Sequence, residues 1–160
     1  MGDFHAGEKR ISRRTGEPKW NDRQVSIVGK ETLDYLNERL SLSLKPGDLA
    51  ENITTEGLGD LSNLHEGHIF VVGGAVFSVT EQNDPCVNLA VYHRLLVEES
   101  YRKRGIVGIV ERGVGVTLKP GMAIDLIDKK EVLLRANKIV APYDLRVEFL
   151  EGSYSVGVQG

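Results

Sequence analysis

Residues 68–80 read HIFVVGGAVFSVT, two apolar runs on either side of a glycine pair. Both runs are rich in β-branched and aromatic residues, which fit the surface of a pleated strand. The pair Gly73-Gly74 can adopt the positive φ angles that a tight two-residue turn requires. The sequence therefore predicts a β-hairpin with strands at 68–72 and 75–80.

Short apolar runs separated by glycine turns continue toward the C-terminus. Ile106–Glu111 and Val114–Leu118 lie on either side of Arg112-Gly113, which predicts a second hairpin. Further strand candidates are Met122–Ile127, Val132–Leu134, Leu145–Leu150 and Tyr154–Val158. Glycine accounts for 18 of the 160 residues, above the usual share of about 7%, and this excess indicates many turns.

Two segments are helical in pattern. Within Lys30–Leu40 three leucines recur at helical spacing, namely Leu33, Leu36 and Leu40. The polar segment Val87–Arg104 predicts a helix, or a helix and a loop, that leaves the sheet between the two hairpins. The expected fold is one domain over residues 1–160, mainly β: a closed or nearly closed antiparallel β-barrel with a few helical insertions.

Composition excludes several classes of function. A net charge of −3 argues against nucleic-acid or anionic-membrane binding, since both need a basic surface. A single cysteine excludes an internal disulfide and an all-cysteine zinc site. The N-terminal residues are polar and lack the apolar run of a signal peptide, so a cytoplasmic location is expected.

Cys86 is the first candidate for chemistry. It follows Pro85 after a predicted strand and precedes the Val87–Arg104 excursion, which places it at a sheet rim. A thiol at a helix start is more easily ionised, and the thiolate is a nucleophile and a soft metal ligand. The alternative is that Cys86 is a small buried hydrophobe.

Three further segments offer polar side chains. Residues 46–57, PGDLAENITTEG, place Asn52, Thr54 and Thr55 beside glycines, which suits a loop that holds a phosphate or pterin edge or, alternatively, an ordinary turn and strand start. Residues 2–10 and 102–105 carry cations that suit an anion. His65 and His68 flank a glycine and are interpreted as turn residues rather than metal ligands.

The order of these pieces resembles the MOSC domain, the C-terminal domain of molybdenum-cofactor sulfurases, which also occurs as free-standing bacterial proteins. The resemblance covers about residues 2–127, and it is carried mainly by residues 51–57, ENITTEG, together with Pro85-Cys86. It also includes residues 2–7, GDFHAG, and Arg104-Gly105. Where many free-standing members have an arginine three residues before the cysteine, this chain has Asn83.

The resemblance implies a barrel that binds the molybdenum cofactor, a molybdopterin, or handles its sulfur. The residue matching the family's cysteine, Cys86, would ligate molybdenum or carry a persulfide. The pterin and its phosphate would be faced by Asn52, Thr54 and Thr55, and further donors would come from His5, Lys9, Arg10 and Arg104.

Two functions follow from the resemblance, and a third remains beside them. The chain is either a molybdenum-dependent reductase of N-hydroxylated compounds, which needs an electron-transfer protein, or a non-catalytic sulfur carrier. The carrier needs a cysteine desulfurase, and pyridoxal phosphate would enter only through that partner. A homo-oligomer is possible through an open sheet edge. The third reading is an interaction domain in which Cys86 is merely buried.

Overall fold

The computed structural model describes residues 9–12, 15–113, 115–128, 132–136, 138–139, 145–150 and 153–158. Within these ranges the helical elements are α1 (Lys30–Leu40), a 3₁₀ helix (Val87–Val91) and α2 (Leu96–Glu99). The strands are β1 (Lys9–Ile11), β2 (Pro18–Trp20), β3 (Val25–Gly29), β4 (Ile53–Glu56), β5 (His68–Val72), β6 (Ala75–Gln82), β7 (Ile106–Arg112), β8 (Thr117–Leu118), β9 (Ile124–Asp128), β10 (Val132–Ala136), β11 (Lys138–Ile139), β12 (Leu145–Leu150) and β13 (Ser153–Val158).

Eight strands form one curled sheet in the order β10-β9-β5-β6-β7-β3-β4-β11. Its edge strands are close in sequence, since β10 ends at Ala136 and β11 begins at Lys138. Two residues span at most about 7 Å, so the sheet must curl until its edges approach each other. The described strands β10 and β11 do not pair, and the barrel is therefore open. The expected mainly β, barrel-like fold is confirmed, with the barrel open rather than closed.

One pair of strands departs from the antiparallel pattern. β3 and β4 are parallel, with Ile27 opposite Ile53, whereas the other described pairs are antiparallel. A parallel pair needs a crossover connection, and α1 provides it by returning the chain to the same end of the sheet. The helix thereby brings the segment before β4 next to β3.

Two hydrophobic clusters hold these layers together. The first lies on one face of the curled sheet, where alternate residues of β5 and β6, including Phe70 and Phe77, are buried. The second packs Leu33 and Leu36 of α1 against a set of leucines that lie outside the sheet: Leu44, Leu49, Leu89 and Leu96. The second cluster therefore joins α1 to the 3₁₀ helix and α2.

The hairpin predicted around Arg112-Gly113 is wrong. β7 pairs with β6 on one side and with β3 on the other. β3 covers β7 only over residues 106–108, and beyond them the N–H of Val110 donates to Oε1 of Gln24 at 3.0 Å rather than to a following strand. Instead β8 pairs with β12 in a second sheet of order β13-β12-β8. Val114, the first residue of the predicted second strand, lies outside the described residues.

The other predicted elements are confirmed. α1 has the predicted bounds, and β5 and β6 form the predicted hairpin around Gly73-Gly74. Strands occur at each of the later candidates, as β9, β10, β12 and β13. The segment 87–104 contains the 3₁₀ helix, α2 and the loops around them. Within the described ranges no helix has the length and apolar character to cross a membrane.

Two glycines with the same backbone conformation give a test of this packing. Gly105 has φ +73° and a methyl group on it would collide with the carbonyl oxygen of Ile27, whereas Gly59 has φ +74° and open space around it. We expect Gly59→Ala to lower the free energy of unfolding by about 1–2 kcal/mol through left-handed strain alone. Gly105→Ala should cost at least about 3 kcal/mol, because overpacking adds to the strain.

Urea denaturation of the two variants measures this difference. Equal losses of unfolding free energy in Gly105→Ala and Gly59→Ala would show that β3 does not pack closely against the start of β7.

Candidate functional site

Cys86 lies where the chain leaves the sheet. It follows β6 by four residues and is the N-cap residue of the 3₁₀ helix, in an extended conformation with φ −94° and ψ 143°. Its carbonyl oxygen accepts a hydrogen bond of 3.0 Å from the N–H of Leu89. The side chain is half-buried, so the thiol is neither enclosed in the core nor fully in solvent. The predicted position at the sheet rim and helix start is confirmed.

Arg104 connects the Cys86 loop to the loop before β4. Its Nη1 donates to the carbonyl oxygen of Asp84 at 2.7 Å, and its Nη2 donates to that of Leu49 at 3.0 Å. The N–H of Asn83 also donates to the carbonyl oxygen of Gly105 at 2.9 Å. The structure therefore brings Arg104 to the loop of Cys86, together with the segment that leads to Asn52.

The loop before β4 is organised around a residue that the sequence analysis missed. Glu51 is buried, and its carboxylate accepts hydrogen bonds from the N–H groups of Gly47 at 2.8 Å and Leu49 at 3.1 Å. The hydroxyl of Thr54 donates to the same carboxylate at 2.8 Å. A buried carboxylate with three donors fixes the loop backbone. Nothing in the pattern ENITTEG distinguishes Glu51 from a solvated acid.

The predicted ligand-binding residues of this segment differ in their contacts. The Oδ1 atom of Asn52 accepts from the N–H of Ser26 at 2.9 Å and from its hydroxyl at 3.1 Å, which ties Asn52 to β3. Thr54 donates to Glu51, as above, and is buried. Thr55 is fully buried, and its hydroxyl has no hydrogen-bond partner among the described residues.

A second guanidinium group lies at the Cys86 loop. Arg23 donates through Nη2 to Oδ1 of Asn83 at 2.7 Å, and its Nε lies 3.6 Å from Glu81 Oε1. Asn83 occupies the position three residues before the cysteine, so a cation is present there although it comes from the segment before β3. Sequence analysis missed Arg23 because no motif surrounds it and its partner is 60 residues away.

An open cavity of about 440 Å³ adjoins the same loop. It is lined by Asp84, Pro85, Val97, Glu98 and Tyr101. The 3₁₀ helix that follows Cys86 presents apolar side chains to solvent nearby, since Val87 is 77% and Val91 is 84% exposed. In the sequence, Cys86 is therefore preceded by Pro85 of the cavity wall and followed by the exposed apolar residue Val87.

The basic residues 102–104 do not converge on one site. Arg102 lies over the ring of Tyr101 at 5.5 Å, and Lys103 pairs with Asp60 at 3.7 Å, whereas Arg104 joins the two loops. Partial burial opposes the ionised form of Asp60, but hydrogen bonds from Ser62 and the charge of Lys103 hold its pKa below its usual value.

The remaining candidates lie apart or outside the described residues. His5 lies outside them, as does the side chain of Arg10, whose backbone belongs to β1. Lys9 is exposed in β1, which pairs only with β2 among the described strands. His65 donates its N–H to Nδ1 of His68 at 3.2 Å within a turn, and the described residues hold no group of three metal-binding side chains.

Fold and site together define a curled, open β-barrel protein with a half-buried cysteine at the rim of its sheet. The family model of the MOSC domain matches residues 2–133. The chain therefore belongs to the MOSC domain family, which is associated with molybdenum-cofactor sulfurase-like proteins.

Solved structures share the fold. The YuaD protein from Bacillus subtilis is 24% identical, with a TM-score of 0.62 over 86% of this chain and 77% of that one. YiiM from Geobacillus stearothermophilus is 23% identical, with a TM-score of 0.53 over 76% of this chain and 56% of that one. A comparison with the curated proteins finds no match.

Neighbouring arginines test the connection made by Arg104. Arg104→Gln removes two charge-assisted hydrogen bonds to separate loops, so we expect the free energy of unfolding to fall by about 2–4 kcal/mol. Arg102→Gln, whose side chain is exposed, should change it by less than about 0.5 kcal/mol. Hydrogen exchange in Arg104→Gln should also accelerate at residues 83–86 and 47–50. Equal stability of the two variants would contradict the connection.

Proposed function

We propose that this protein binds the molybdenum cofactor through the Cys86 thiolate and acts as a molybdenum-dependent reductase of N-hydroxylated compounds. The observation that carries the proposal is the position of Cys86, half-buried at the sheet rim and directly after Pro85, which lines an open cavity. Membership of the MOSC domain family supports it. We further propose that it acts in the cytoplasm, where a lone thiol stays reduced.

The residues present fit such a group by their chemistry. Cys86 supplies a soft thiolate ligand. Two guanidinium groups place positive charge at the Cys86 loop, where an anionic cofactor would approach. Arg104 binds the carbonyl oxygen of Asp84, and Arg23 binds the side-chain amide oxygen of Asn83. The buried Thr55 hydroxyl, with no partner in the described ranges, is a donor suited to a ligand oxygen or nitrogen. When bound, the cofactor would supply the oxygen-atom transfer chemistry.

The chain's own residues would bind and orient. Cys86 would hold the metal, and the loop that carries it is fixed by Arg104 and by the burial of Leu89. Asn52, Thr54 and Thr55 would line the pterin side, with Glu51 holding their loop in place. His5, Lys9 and Arg10 stay candidates for the phosphate end. Reduction also requires an electron-transfer protein as partner.

The second candidate is a sulfur carrier in molybdenum-cofactor biosynthesis. The exposure of Val87 and Val91 beside Cys86 favours it, because a protein partner could dock on these side chains. The thiolate of Cys86 would attack the outer sulfur of a cysteine desulfurase persulfide; the desulfurase thiolate would leave, and Cys86 would carry the persulfide. A homo-oligomer stays compatible with either function.

Metal and pterin analysis of the purified protein tests the reductase. We expect near-stoichiometric molybdenum and pterin after expression with molybdate in a host that makes the cofactor. Molybdenum should fall at least about tenfold in Cys86→Ser, because losing even a group that supports a metal ligand costs about 10–100-fold in metal affinity. Val87→Thr, a similar change at the exposed neighbouring residue, should keep its molybdenum.

The same proteins separate the two candidates. Absence of molybdenum in the wild type, together with the mass of one added sulfur on Cys86 after incubation with a cysteine desulfurase and cysteine, would overturn the reductase and support the carrier. Absence of both would overturn both.

Neighbouring threonines provide a test of the pterin side. Thr55→Val removes a hydroxyl with no described partner, so we expect unfolding free energy within about 1 kcal/mol of the wild type, yet reduced pterin content. Thr54→Val removes a donor to Glu51 and should lower the unfolding free energy by about 1–3 kcal/mol. Unchanged pterin binding in Thr55→Val would remove Thr55 from the site.

A further inference from the structure

The side chains that line the cavity beside the Cys86 loop are of three types: apolar, aromatic and carboxylate. Pro85 and Val97 provide apolar surface, and Tyr101 provides an aromatic ring. Asp84 and Glu98 provide two carboxylates on the same lining. Its volume of about 440 Å³ lies within the range of small-molecule sites.

The two carboxylates form no ion pair within the described part of the chain. In the described part of the chain, neither Asp84 nor Glu98 has a salt bridge or a side-chain hydrogen bond. The adjacent Glu99, by contrast, accepts from Tyr35 at 3.0 Å and pairs with Arg39 at 3.2 Å. Of the two consecutive glutamates on α2, Glu99 therefore contacts α1, whereas Glu98 lines the cavity.

Two cations of the described residues lie near the cavity wall: Arg102, whose guanidinium lies 5.5 Å from the centre of the Tyr101 ring, and Arg104, whose Nη1 donates to the carbonyl oxygen of Asp84. Neither of them lines the cavity, whose charged lining side chains are the two carboxylates. The lining as a whole keeps a negative balance, and an aromatic ring also attracts cations through its face. A positively charged ligand is therefore favoured over a neutral or anionic one.

The cavity walls are held in place before any ligand binds. The carbonyl oxygen of Asp84 accepts from Arg104, and Leu96, the first residue of α2, is fully buried. The N–H of Tyr101 donates to the carbonyl oxygen of Glu98 at 3.1 Å, which fixes the end of α2. A wall that needs little rearrangement loses less binding free energy to ordering.

We propose that this cavity binds a small organic cation with a flat apolar body, such as a protonated benzylic amine. The cationic group lies between Asp84 and Glu98, and the apolar body packs on Pro85, Val97 and Tyr101. That this ligand belongs to the reaction, as the amine formed when an N-hydroxylated amine is reduced, rests on the proposed function, since Cys86 follows Pro85 directly. The binding itself does not depend on Cys86.

Binding of benzylamine, followed by the backbone amide shifts of the protein in NMR titrations, tests the proposal. We expect shifts centred on Asp84, Val97 and Tyr101. Benzyl alcohol, the neutral analogue of the same shape, should bind at least threefold more weakly, and benzoate should not bind there. These differences are of the size that exposed charge pairs produce, about two- to fivefold each.

Variants that remove one charge show which side chains produce the preference for the cation. Glu98→Gln and Asp84→Asn should each weaken benzylamine binding about two- to fivefold. Arg102→Gln should strengthen it, because it removes the opposing charge. Glu38→Gln, which makes the same charge change on the exposed side of α1, should leave it unchanged. In each of these charge variants, the affinity for benzyl alcohol should change less than the affinity for benzylamine.

Three outcomes would overturn the proposal: equal affinity for benzylamine and benzyl alcohol, shifts centred away from the cavity, or the same effect in Glu98→Gln and Glu38→Gln. Cys86→Ser separates this proposal from the proposed function. Benzylamine binding unchanged in Cys86→Ser, in a protein that carries no molybdenum, supports the cavity and removes only the reductase.

Discussion

The guanidinium group of Arg104 holds together the two loops on which the rest of the site depends. It donates to the carbonyl oxygens of Leu49 and Asp84, which lie far apart in sequence. Loop carbonyls that lie outside regular sheet need such partners when they are shielded from water. The next residue, Gly105, passes so close to the backbone of Ile27 that only glycine fits. The close approach of this segment to β3 therefore restricts the backbone next to Arg104.

The apolar contacts reinforce the same connection. Leu49, Leu89 and Leu96 belong to one buried cluster with the leucines of α1. One of them lies on the loop that Arg104 contacts directly, and the other two lie on the helices that follow Cys86. Polar bridging and hydrophobic burial thus act on the same segments. Loosening either would move Cys86 relative to the loop of Asn52, so the stability of this region and the geometry of the site are coupled.

The parts of the structure that follow from local pattern were predictable. α1 could be read from its leucine spacing, and the β5–β6 hairpin from the glycine pair. The partner of β8 could not, because β12 is a later segment that only the assembled fold brings beside it. The role of Arg23 could not be predicted either. The sequence shows only that Asn83 stands where many family members have an arginine, and the cation that contacts Asn83 comes from 60 residues earlier. Glu51 looks like a surface acid until its three donors are seen.

The charges around Cys86 divide along its loop. Arg23 contacts the side chain of Asn83 and Arg104 contacts the carbonyl oxygen of Asp84, so both guanidinium groups bind the part of the loop before the cysteine. The side chain of Asp84 instead lines the cavity together with Glu98. An anionic group is attracted to the first set and a cationic group to the second. Cys86 follows Asn83 by three residues and Asp84 by two, so the short loop that leads to the thiol carries bound guanidinium groups on one side and the carboxylates of the cavity wall on the other.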